Sequence, residues 1–147
     1  MLTKFLQLFN PRPGNHYLHV CKKNNNISLA LEELLKKVDG QLNIELYTAD
    51  DLLNAKPFKA LPRDNDAVIF QDIYSQHSNQ DGILKIAYRT LANTAEIVIM
   101  EKSGVLDVEV LKTTLEKNEF RTPNQIEVLD GYDIIVAKKM HMWGNGL

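Results

Sequence analysis

The chain contains a single cysteine, Cys21. That excludes an intramolecular disulfide framework and fits a reducing compartment. It has no apolar run near the roughly 20 residues that a membrane-spanning helix needs. Its start, MLTKFLQLFNPRPGNH, lacks the apolar stretch and cleavage site of a secretory signal. A cytoplasmic location is therefore expected. Excess charge is also missing: the formal net charge is -2, with no global attraction toward nucleic acid or an anionic membrane. His16, His19, His77 and His141 are scattered and match no zinc spacing, so no metal is expected. Glycine is scarce in a telling place. None lies between Gly14 and Gly40, although a nucleotide-like cofactor asks for glycines just after a first strand.

What is present is ordinary for a globular chain. Its 147 residues and 44% hydrophobic content suit a single domain over 1–147, with 1–15 as an N-terminal extension. Leu2, Phe5, Leu6 and Phe9 outline a short amphipathic helix before Pro11-Arg12-Pro13-Gly14 breaks it. Tyr17 to Cys21 read as a first strand. The spacing of Ile27, Ala30, Leu31, Leu34, Leu35 and Val38 predicts a helix. Asn26 is its expected N-cap and Gly40 its left-handed C-terminal cap. Leu42 to Tyr47 make a second strand, and a weak third is expected near Pro57, Phe58 and Ala60. Ala67 to Phe70 and Ile97 to Met100 are short apolar runs of doubly buried strands. A helix from about Asn79 to Ala92 lies between them, and Asp107 caps another that carries Leu111 and Leu115. Ile126 to Ala137 read as a hairpin about an Asp130-Gly131 type I′ turn.

Strand and helix alternate, which implies an α/β sandwich whose mainly parallel sheet ends in an antiparallel hairpin. Ligands of such sheets bind beyond the C-terminal strand ends. That rule points to Cys21 through Asn26, to the residues after Tyr47, and to Gln71 and Asp72. Asp72 is the candidate catalytic residue, able to orient or deprotonate a substrate group. Tyr74 and His77 are expected near the same cleft. Cys21 is either a thiol activated by Lys22 and Lys23 or a small inert core residue. Lys22, Lys23 and the asparagines lead into a helix N-terminus, which suits an anion, although a solvated polar loop capped by Asn26 explains them more simply.

The stretch ALPRDNDAVIFQDIYSQHSNQDGILKIAYRTLANTAEIVIME, and the tail LKTTLEKNEF with LDGYDIIVAKK, resemble the class I S-adenosylmethionine-dependent methyltransferases. The resemblance implies a Rossmann-like three-layer sandwich and S-adenosylmethionine as cofactor. The family's G-x-G-x-G-like loop is replaced here by LHVCKKNNN, with Cys21, Lys23 and Asn25 roughly where glycines stand. The acid that binds the ribose after the second strand falls near Tyr47, with Asp50 the nearest carboxylate. A further acid before the "LP" falls near Pro57 and Lys59. Cys21, Lys23, Asn25, Tyr47, Asp50 and Gln71 are therefore the candidate cofactor-pocket residues.

The leading functional expectation is a degenerate, non-catalytic methyltransferase-like protein that serves as a binding or partner subunit. An active methyltransferase with a rearranged cofactor site comes second, and an anion- or nucleotide-binding module third. The partner is an unspecified small molecule or protein. The apolar ends, Phe5 to Phe9 and Met142-Trp143, leave a homodimer open.

Overall fold

The computed structural model describes residues 2–140. Met142 and Trp143 lie outside them. The elements run Thr3–Leu6 (α1), His16–Cys21 (β1), Asn26–Lys36 (α2), Gln41–Leu46 (β2), Ala49–Leu53 (α3) and Asn65–Gln71 (β3). They continue with a 3₁₀ turn at Tyr74–Gln76, then Gln80–Thr90 (α4), Leu91–Lys102 (β4), Val108–Lys117 (α5), Phe120–Ile126 (β5) and Tyr132–Lys139 (β6).

The six strands form one sheet in the order β2-β1-β3-β4-β6-β5. β1 pairs in parallel with β2 and β3, and β3 with β4, while β6 runs antiparallel to β4 and β5. The alternating sequence explains the parallel part, because each crossover helix returns the chain to the same end of the sheet. The face of Tyr17, Ile69, Val98 and Ile134 packs on Ile27, Leu31 and Leu35 of α2 and on Phe5 and Phe9. The other face, with Val20, Phe70 and Ile99, packs on Leu52, Ile83, Leu84, Leu111 and Leu115 of α3, α4 and α5. The result is a three-layer sandwich. Phe5 and Phe9 dock on their own sheet, with Phe9 5.6 Å from the Tyr17 ring.

Four local expectations need correction. Asn25, not Asn26, caps α2: its side chain accepts from Ile27 N–H at 2.9 Å, and Ser28 reciprocates toward the Asn25 N–H. A run of asparagines offers several possible caps, and the serine three residues on selects one. Gly40 does not take the left-handed turn, because Asp39 does, at φ 53°. Gly40 is needed for space, since a Cβ there would lie 2.8 Å from the Asn15 carbonyl oxygen. No strand forms near Pro57, Phe58 and Ala60. Pro57 has no N–H to donate, and Phe58 instead drives into the core, 5.8 Å from the Phe70 ring. The hairpin starts earlier, at Phe120, and its turn is not type I′. Gly131 has φ 84° whereas Asp130 has no positive φ, and type I′ demands both.

Candidate cleft at the carboxyl ends of the parallel strands

β1 and β3 are neighbours, yet the chain passes through β2 between them. Loops leave such a pair in opposite directions and open a crevice at the C-terminal ends. A cleft of about 350 Å³ lies there. Cys21 at the end of β1 lines it with Lys22, Lys23 and Asn25 of the following segment, as do Gln71 at the end of β3, Asp72 just after it, and Glu101 and Lys102 at the end of β4. Tyr132 joins them because β6 is antiparallel, so its N-terminal end lies beside the C-terminal end of β4.

A connected set of polar groups runs from the interior to this cleft. His19 is fully buried on β1. Its Nε2 lies 2.8 Å from Gln71 Oε1, which can only accept, so Nε2 carries the proton. Nδ1 is then an acceptor and takes the Ser28 hydroxyl at 3.1 Å. The Gln71 amide donates to the Tyr132 hydroxyl at 3.5 Å. Tyr132 donates onward to Asp72 Oδ2 at 3.1 Å. Every donor thus points toward the Asp72 carboxylate, a consistent polarisation from core to solvent. Burial pushes the His19 pKa down to about 4, partly opposed by the Gln71 bond. The ring is therefore neutral at neutral pH.

Asp72 adopts φ 56°, a left-handed conformation uncommon outside glycine but tolerated by aspartate. Its N–H donates to the Met100 carbonyl at 2.9 Å, which fixes the turn. Glu101 is 2% exposed, and its Oε2 accepts from Ser75 N–H at 2.9 Å. Burial holds its carboxyl above the usual range; the Ser75 bonds oppose this, Asp72 adds to it, and Lys22 opposes it. The cleft thus joins a buried acid and a half-buried acid to exposed lysines. Among the described residues, no group of three or more His, Cys, Asp and Glu is placed to hold a metal ion.

The structure brings Cys21, Lys23, Asn25, Gln71 and Asp72 together, and it leaves Tyr47 and Asp50 out. Tyr47 is buried and donates to the Lys56 carbonyl at 2.6 Å. Asp50 sits exposed in the first turn of α3. Its neighbour Asp51 is engaged in a capping box with Thr48, its carboxylate accepting from Thr48 N–H at 2.9 Å. Tyr74 lines a separate groove beside α5, and His77 is buried, bridging the Lys56 carbonyl and Asn79 N–H. The Cys21 thiol is buried and its pKa is raised by burial, with Ser28 and the Lys23 backbone opposing. Burial and the raised pKa both disfavour the thiolate that an activated nucleophile needs. Asn25 occupies the first free N–H groups of α2 with its own side chain, which weakens the case for an anion there.

Glu101 could have been found by the rule that found Asp72, since it follows the apolar run of β4. Tyr132 could not, because its place depends on which strand β6 joins.

No protein-family model and no curated protein matches the chain. Solved structures do. A methyltransferase described as S-adenosylmethionine-dependent, from Aquifex aeolicus, superposes with a TM-score of 0.69 at 16% identity, over 94% of this chain and 89% of that one. A methyltransferase in complex with the Trm112 activator, from Haloferax volcanii, gives 0.68 at 10% identity, over 92% and 87%. Haemonchus contortus phosphoethanolamine N-methyltransferase 2, in complex with S-adenosyl-L-methionine, gives 0.61 at 11% identity, over 95% of this chain but 52% of that one. A shared fold at such identities does not carry activity with it. The six-stranded sheet, mostly parallel with an antiparallel β4-β6-β5 portion, and these superpositions give the chain the class I methyltransferase-like fold.

Proposed function

We propose that this protein keeps the methyltransferase fold without ordinary methyl transfer, and acts as a binding or partner subunit. The observation that carries this reading is where the cleft lies. It spans the ends of β1, β3 and β4 and takes in no residue of β2 or of the segment that follows β2. In the family the ribose is held by an acid at that strand end. Here Tyr47 is buried at that place and Asp51 is committed to capping α3. The loop after β1 sets the exposed Lys22 and Lys23 on the cleft. Two cations there disfavour the sulfonium of S-adenosylmethionine. The Haloferax volcanii neighbour, a methyltransferase bound to an activator, lends support to a protein partner.

Calorimetric titration with S-adenosylmethionine and its demethylated product tests the proposal. The expected result is no binding tighter than about 1 mM, or roughly 4 kcal/mol. Micromolar binding of either compound overturns it and favours an active enzyme with a rearranged site.

A further inference from the structure

The two edges of the sheet are built differently. β5 is defended: it carries Arg121 and Pro123, its register with β6 shifts between Arg121 and Asn124, and Thr122 has φ 50°. Charge, proline and irregular pairing are the devices that keep an edge strand from joining another chain. β2 has none of them except one charge, Glu45. Its pairing with β1 is regular from His16↔Gln41 to Cys21↔Leu46. Nothing among the described residues pairs with its outer side, because the segment around Phe58 turns into the core. An apolar side chain accompanies this edge. Leu46, at the end of the strand, is 46% exposed.

The sequence of β2 matches itself. Side chains alternate, so Leu42, Ile44 and Leu46 share one face and Asn43 and Glu45 the other. Two antiparallel copies with a twofold axis at Ile44 place Ile44 opposite Ile44 and Leu42 opposite Leu46. Asn43 then meets the partner's Glu45. All the apolar residues find apolar partners, and no like charges meet. Moving the axis to Glu45 sets two carboxylates face to face, and moving it to Asn43 leaves Leu46 opposite Gly40. A shift by half a step puts apolar residues against polar ones on both faces.

We infer that a second copy of this chain pairs antiparallel along β2, centred on Ile44, and joins two sheets into one. This does not depend on what the cleft binds.

Sedimentation velocity of the full chain tests the inference. At about 100 µM the expected mass is twice 16.8 kDa. Ile44→Lys sets two cations across the axis and should raise the dissociation constant roughly 100-fold, since like charges across an interface cost several kcal/mol. Asn43→Lys, at an exposed position, sets a cation opposite the partner's Glu45 and should tighten the dimer roughly 3- to 10-fold in low salt. Gln125→Lys on the other edge should change nothing. A monomer at that concentration, or a dimer that responds to Gln125→Lys and ignores both β2 variants, overturns the inference. If Ile44→Lys fails to fold, Asn43→Lys still decides: a dimer no tighter than wild type counts against it.

Discussion

Between pH 6.5 and about 4, the protein should lose about 3 kcal/mol of stability that a His19→Gln variant does not lose. The cause is the fully buried imidazole of His19, whose pKa is held at about 4 against 6.5 for a free group. Above pH 6.5 both folded and unfolded chains carry it neutral. As pH falls through that window, the unfolded chain takes up a proton that the folded chain refuses, and the equilibrium moves toward unfolding. Below about 4 both forms are protonated and the loss levels off. The stability is therefore present above the unfolded value and lost as pH falls toward the folded one. Glu101 acts in the opposite sense, because its raised carboxyl takes a proton first in the folded state. Comparing the two proteins cancels that contribution. Urea unfolding at several pH values measures the effect. Parallel pH profiles for wild type and His19→Gln would show that the ring is not held neutral.

Phe58→Ala should cost about 3–5 kcal/mol, the usual range for truncating a buried phenylalanine. Phe58 is 3% exposed and meets Phe70 edge-on, so the variant loses both burial and a ring contact. It is also the anchor of the segment that does not become a strand. Removing it should loosen 55–61, and amide exchange there should accelerate more than in α4. Urea denaturation reads the first effect and exchange the second. A loss under about 1 kcal/mol would mean that the segment is held elsewhere.

These two residues also mark where the sequence was readable. The apolar spacing of α2 and the unbroken runs of β3 and β4 announced a doubly covered parallel sheet, because local periodicity and burial agree there. Phe58 misled because an extended segment ending in the core has the composition of a weak strand. The missing N–H of Pro57 was the available warning. In the cleft, Cys21, Asn25, Gln71 and Asp72 were accessible to reasoning because topology alone puts strand ends there. Tyr47 and Asp50 lie off this cleft, and position after β2 says nothing of whether a side chain turns inward or stands on the first turn of a helix. The link from His19 through Gln71 and Tyr132 to Asp72 joins residues as much as 61 apart in sequence. Only the sheet order brings them into contact.

The functional proposal turns on a cleft that lies away from the end of β2 and is lined by the altered loop after β1. Crystals soaked in excess S-adenosylmethionine test it most directly. The expected result is no cofactor density at the ends of β1 and β2, with Lys22 and Lys23 still lining the cleft. Density for the intact cofactor, its ribose beside the end of β2 and its methionine portion over Lys23, would contradict the proposal.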